Sequence, residues 1–169
     1  ALTLGALLKE SGAALWLAQS VLSSLNSIGI SEGFGLWVGL SGFSGLMTNF
    51  MSDAGTTALL GPIVIPIGVM SGHMAEPWAS GLAVAFATSF AHFLIVGTPN
   101  NAIVYGLGTY PDTGERVIAP IDFVKYGLLL WILSLLVVWI IGFLGIYQVV
   151  GFPEGILDTA RAVLERNNM

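Results

Sequence analysis

The chain has 169 residues, 55% hydrophobic and only 9% charged, with a mean hydropathy of +0.86; a soluble globular domain carries about 25% charged residues, so this composition excludes one and points to a bilayer. The formal charge of −5 comes from scattered loop and tail residues, so no basic patch points to nucleic acid or to anionic lipid, and nucleic acid is not expected as a partner. Cysteine is absent, which excludes disulfides, thiolate metal sites and a cysteine nucleophile.

The chain opens "ALTLGALLKESG", with no initiator Met and no signal-peptide pattern, and starts inside an apolar element, so it reads as part of a longer protein. Leu2 to Leu8 is a short apolar arm, Lys9 to Gly12 breaks it, and Ala13 to Leu25 resumes with Leu15, Ala18, Leu22 and Leu25 at helical spacing. Asn26 to Gly33 is a polar connection. From Phe34 to Phe50 the chain is apolar and studded with Gly35, Gly39, Gly42 and Gly45, small residues suited to close helix packing. Thr56 to Val69 is apolar again and contains Pro62 and Pro66. Each piece is short of the roughly 20 residues that span a bilayer. Joined through Met51 to Gly55, they are expected to form one discontinuous transmembrane helix.

Ser71 to Pro77 reads as a loop and Trp78 to Val96 as a 19-residue span. The span ends at "GTPNN", Gly97 to Asn101, where Pro99 removes a backbone donor, so a second break is expected there. Ala102 to Leu107 continues it, Thr109 to Pro120 is a polar loop, and Tyr126 to Tyr147 is the clearest span, with tyrosines at both ends. The tail from Pro153 to Arg166 places Ile156, Leu157, Ala160, Val163 and Leu164 on one stripe, the pattern of an interfacial helix. In domain terms this divides the chain into 1–30 (arm plus amphipathic helix), 31–108 (two broken helices), 109–125 (loop), 126–148 (last span) and 149–169 (tail). Lys and Arg are too few and too evenly spread to give an orientation.

Unwound backbone at membrane depth persists only where it lines a cavity or binds something, because unsatisfied amides and carbonyls cost several kcal/mol in hydrocarbon. The first break carries Thr48, Asn49, Ser52, Asp53, Thr56 and Thr57, and the second Thr98, Asn100 and Asn101. A half-helix starting near Ala54 offers free N–H groups to an anion, and the half-helix before it ends in carbonyls suited to a cation, both expected at mid-membrane. Asp53 is an ionisable group inside an apolar region with no Lys or Arg near it in sequence, and insertion of such a group costs at least about 2.5 kcal/mol. Its partner is therefore a bound Na⁺, a proton or a cation from elsewhere in the protein; the plain structural alternative is a protonated N-cap for the Ala54 half-helix.

At these residues the sequence resembles the divalent anion/sodium symporter family. "TNFMSDAGTTALLGPIVIPI" looks like that family's second Ser-Asn-Thr region, and "VGTPNNAIVYGLG" like its "ATPPNAIV" segment. "LTLGALLKESGAALWLA" and "PIDFVKYGLLLWILSLLVV" match in order on either side, so the likeness runs from residue 2 to about 145. The resemblance implies an all-α, multi-pass protein of the inner or plasma membrane. This chain would be the C-terminal half of an inverted-repeat transporter, with discontinuous helices and a re-entrant hairpin whose arm lies in residues 1–30. It also implies a homodimer with an elevator-like moving domain, a missing N-terminal repeat of the same chain, and a small anionic substrate (dicarboxylate, citrate or sulfate) carried with sodium.

By position the resemblance puts Ser52, Asp53, Ala54, Thr98 and Pro99 at the substrate, and Thr48, Met51, Asp53 and Gly97 at a sodium ion. The family's Asn-Thr is Asp53-Ala54 here, and its "TPPN" is "TPNN". Two unit negative charges near 4 Å repel by about 4 kcal/mol at an effective dielectric of 20, so an anion at Asp53 beside an anionic substrate needs a cation or a proton between them. Tighter Na⁺ binding is the adopted reading; proton coupling through Asp53, or a different substrate, is the alternative.

Two rivals belong to other classes. "GFSG", Gly42 to Gly45, loosely resembles the serine motif of intramembrane proteases with His92 as partner, a reading that requires Ser44 Oγ and His92 within hydrogen-bond reach. A non-transporting membrane subunit is the other. His92 reads as a residue hydrogen-bonded to a neighbouring helix in preference to a proton relay, and His73 with Glu76 lacks the third ligand of a metal site.

Overall fold

Helix α1, Ala13–Ser27, is closed by a Schellman turn: Gly29 takes φ +73°, Ile30 N–H donates to Leu25 O, and Gly29 N–H donates to Asn26 O. The computed structural model describes residues 7, 10–30, 33–70, 76–150 and 162, and those residues form helices α2 (Gly33–Met47), α3 (Asp53–Met70), α4 (Glu76–Ala87), α5 (Pro99–Leu107) and α6 (Pro120–Val149) after α1. The expected tail helix from Pro153 to Arg166 lies outside the described residues apart from Ala162, and so does most of the Leu2–Leu8 arm.

Among the described residues, α3 and α6 are long and apolar enough to cross a membrane. At 1.5 Å per residue they reach about 27 and 45 Å. Pro62 and Pro66 sit inside α3, each removing one ladder hydrogen bond, yet the helix runs through both. Residues Val138–Ile146 of α6 are wound as π-helix, and Phe143 within them is fully buried against Trp37, with ring centroids 5.3 Å apart. The opposite face of α6 carries Leu129, Ile132, Leu133, Leu136 and Ile140, all exposed, as a continuous apolar surface.

Helix α4 runs back along α3, bringing Thr88 just past its C-terminal end to Thr57 near the start of α3. Helix α2 lies on the other flank of α4 and ends beside it, since a Cβ at Gly45 would stand 3.3 Å from Ala87 O. Leu36, Trp37 and Leu40 of α2, Leu60, Ile63, Val64 and Ile67 of α3, and Ala79, Ala83 and Val84 of α4 form one buried cluster along this bundle. Helices α2 and α3 are thus the two arms of a hairpin with α4 packed against both. This corrects the expectation of a single transmembrane rod: the Thr48–Ser52 turn reverses the chain, and shared burial against α4 outweighs end-to-end continuation.

Helix α6 lies antiparallel to α2. Its Trp131 indole donates to Gly45 O at 3.0 Å, its Trp139 indole to Ser41 Oγ at 2.8 Å, and Tyr147 meets Trp37 edge-on. The expected span from Trp78 to Val96 is also corrected, because the helix stops at Ala87 and residues 88–98 are non-helical. Thr88, Ser89 and His92 interrupt the apolar run just there, and residues from the hairpin tip and from the helix after residue 98 take up the freed backbone groups.

Candidate functional site

Breaking a helix at Ala87 frees carbonyls and amides that hydrocarbon cannot satisfy. Thr48 Oγ1 donates to Thr88 O at 2.6 Å. The Asn49 amide donates to Phe90 O at 3.2 Å and its Oδ1 accepts from Phe93 N–H at 3.0 Å. Asn101 Nδ2 on α5 reaches Ala91 O at 2.8 Å and Leu94 O at 2.9 Å. The unwound segment is therefore held by the hairpin tip on one side and by α5 on the other. Thr48 and Asn49 are both fully buried.

The tip has its own accounting. Gly45 O, one of the orphan carbonyls at the end of α2, accepts from Asn49 Nδ2 at 2.8 Å and from the Trp131 indole of α6. At the start of α3, Ser52 Oγ accepts from Gly55 N–H at 3.1 Å, so Ser52 is the N-cap and Asp53 the first helical residue. This corrects the reading of Asp53 as the cap. The Asp53 carboxylate instead faces sideways, with Oδ1 at 2.8 Å from Thr48 Oγ1. Thr57 Oγ1 lies 2.9 Å from Asp53 O and 3.1 Å from Thr88 Oγ1, which itself donates to Ala85 O.

Of the residues expected at the substrate, Ser52 and Ala54 are exposed at the tip and Asp53 is half-buried beside them. Thr98 caps α5, its Oγ1 accepting from Asn100 N–H at 3.0 Å, with Pro99 exposed at the first helical position. Of those expected at sodium, Thr48 and Asp53 touch, while Met51 packs towards Gly55 and Gly97 lies against Asn49. A Cβ at Gly97 would stand 3.1 Å from both Asn49 Cα and Asn49 O. The two interruptions therefore meet. They meet beside the N-terminal part of α6's apolar run, at Trp131 and at Gly127, where a Cβ would collide with His92 O and come within 2.6 Å of Phe93 Cα.

Sequence reasoning missed Thr88, which it placed inside a continuous helix. It named Asn49 among the polar residues of the first break without seeing that it clasps the second. The signal for Thr88 is the polar pair Thr88-Ser89 in an apolar run. His92 Nε2 stands 3.4 Å from Ser134 Oγ on α6 and its ring stacks on Phe90, as a histidine hydrogen-bonded to a neighbouring helix. Ser44 Oγ donates to Ser41 O, so Ser44 and His92 are engaged elsewhere and form no nucleophile–base pair. His73 lies outside the described residues.

Residues 1–150 match the family model described as the sodium:sulfate symporter transmembrane region. The chain is 34% identical over 145 residues to an uncharacterized transporter of Haemophilus influenzae, covering 85% of this chain and 28% of that protein. It is 33% identical over 138 residues to an uncharacterized transporter of Methanocaldococcus jannaschii, covering 82% of this chain and 28% of that one. A sodium-dependent high-affinity dicarboxylate transporter of Caenorhabditis elegans is 38% identical over 109 residues, covering 62% of this chain and 18% of its own length. The chain thus spans little more than a quarter of the first two relatives. No solved structure matches it.

Proposed function

The chain belongs to the sodium:sulfate symporter family, multi-pass membrane transporters and not enzymes, and from that premise we propose that it supplies the C-terminal repeat of a sodium-coupled carrier for a small divalent anion. The observation that carries this reading is the meeting of hairpin tip and unwound segment through Thr48, Asn49 and Gly97. It brings the turn that leads into α3 at Asp53 against the segment that leads into α5 at Pro99. Free N–H groups and positive dipole ends there favour an anion, while the carbonyls and hydroxyls behind them favour a cation. The substrate contacts are Ser52, Asp53, Ala54, Thr98 and Pro99, and Thr48, Met51, Asp53 and Gly97 serve the sodium. Substrate class follows by likeness to the dicarboxylate transporter relative and to the family's sulfate carriers.

In this reading α2 and α3, in place of the arm expected in residues 1–30, form the re-entrant hairpin, an N-terminal repeat of the same gene product supplies the matching half, and two copies assemble as a dimer in the cell membrane. The test is uptake of labelled succinate, citrate and sulfate by the complete gene product, with Na⁺ replaced by choline and pH varied. Uptake of one of these anions that falls to background in choline is the expected result. Uptake that is indifferent to Na⁺ and rises with acidity would establish the alternative, proton coupling through Asp53.

A further inference from the structure

Thr48, Thr57 and Thr88 bring three hydroxyl hydrogens to five short oxygen–oxygen contacts: Thr48 with Asp53 Oδ1 and Thr88 O, Thr57 with Asp53 O and Thr88 Oγ1, and Thr88 with Ala85 O. A hydroxyl donates once, and carbonyl and carboxylate oxygens only accept. The cluster is therefore rich in oxygen and short of hydrogen, with a carboxylate in its wall. No lysine or arginine among the described residues pairs with that carboxylate. One turn on from Asp53, Thr56 is fully buried and its Oγ1 has no hydrogen-bond partner. Positions three apart share a helix face, so a further oxygen with uncommitted lone pairs lies on the Asp53 side of α3.

We propose that Thr57 and Thr88 are cation ligands additional to Thr48 and Asp53, so that the junction of α2, α3 and α4 forms an all-oxygen site for a monovalent cation. Hydroxyls, carbonyls and a single carboxylate are hard donors, and one formal negative charge matches one positive charge. A cation set among these oxygens satisfies the contacts that lack a hydrogen and relieves Asp53 of its solitary charge. Thr88 is central because both its carbonyl and its hydroxyl face the cluster, one toward Thr48 and the other toward Thr57. Gly97 acts at one remove, by letting the unwound segment press on Asn49.

This inference rests on the sodium-coupled reading above, and the test separates the two. The complete gene product is purified, its Na⁺ binding is followed by titration with Na⁺ itself in the absence of substrate, and uptake is measured against Na⁺ concentration. Thr57→Val and Thr88→Val are each expected to raise the Na⁺ concentration for half-saturation by about tenfold or more in both assays. Thr57→Ser and Thr88→Ser are expected to stay near the parent. Thr57 is exposed, so its valine variant keeps the test standing if Thr88→Val fails to fold. If the parent protein binds Na⁺ and transports with it while well-folded Thr57→Val keeps the parent half-saturation, the cluster is overturned and the sodium-coupled reading stands. If the parent binds no Na⁺ and its uptake follows pH alone, both fall and the cluster's occupant is a proton.

Discussion

Phe93 N–H donates to Asn49 Oδ1 at 3.0 Å, joining residues 44 apart in sequence, while the same side chain's amide holds Phe90 O and Gly45 O. One buried asparagine thereby closes the end of α2 and pins the unwound segment after α4, and the stability of the junction depends on it.

Asn49→Ala leaves the Phe90 carbonyl and the Phe93 amide without their side-chain partner in a buried site, while Gly45 O keeps its bond from Trp131. Each such loss costs about 1–3 kcal/mol, so the substitution is expected to lower stability by at least about 2 kcal/mol. Thermal unfolding of the purified protein in detergent measures this. Asn49→Asp keeps the acceptor for Phe93 and loses the donors, so a variant as stable as the parent would deny the clasp.

Trp131 and Asn49 share Gly45 O as acceptor. Trp131→Phe alone leaves that carbonyl its bond to Asn49 and is expected to cost about 1 kcal/mol. Combined with Asn49→Ala it orphans the carbonyl, so the double variant is expected to lose more than the sum of the singles, by about 0.5–3 kcal/mol. Additive losses in a double-mutant cycle would mean that the two donors act independently.

Gly127→Ala drives a methyl group into the backbone of His92 and Phe93, which side-chain rotation cannot relieve. It is expected to disrupt the junction and abolish uptake. Gly42→Ala meets nothing within 4 Å and is expected to be neutral or slightly stabilising, since alanine is the better helix former. Equal effects of the two, measured by melting temperature and by uptake, would contradict the close approach.

Asp53→Asn restores the family's amide beside Thr48. If the carboxylate binds the coupling cation, the half-saturating Na⁺ concentration is expected to rise by about tenfold or more, as for loss of one charged contact of about 1.4 kcal/mol. Uptake with unchanged Na⁺ dependence and unchanged pH profile would remove Asp53 from the coupling step.

Ser52→Ala removes the N-cap of α3 and is expected to cost about 1 kcal/mol of stability; Ser52→Asp, which keeps an acceptor for Gly55 N–H, is expected to recover most of it. Measured by melting temperature, equal losses in both variants would show that the hydroxyl does not cap the helix.

The membrane setting and the two interruptions, near Met51–Gly55 and Gly97–Asn101, were legible residue by residue. Composition and charge-free runs fix the first, and polar residues between apolar stretches, with Pro99, the second. The helix end at Ala87 was not legible, because a run from Trp78 to Val96 is apolar enough to continue. What stops it is compensation from elsewhere: Thr48, Asn49 and Asn101 satisfy the carbonyls that unwinding frees, and Gly127 leaves room for the bared backbone. Asp53 was recognised as a buried acid in need of a partner, but its neighbours Thr57 and Thr88 belong to a hairpin geometry that no local pattern encodes.

By itself the sequence determined that this chain lives in lipid and which short polar stretches interrupt its apolar runs, because hydropathy and turn chemistry act over a few residues at a time. Only the tertiary structure decided that α2 and α3 fold back as a hairpin, that α4 unwinds early, and that Thr88 arrives beside Asp53. Those outcomes depend on hydrogen bonds and close packing between residues tens of positions apart, whose partners the linear order does not name.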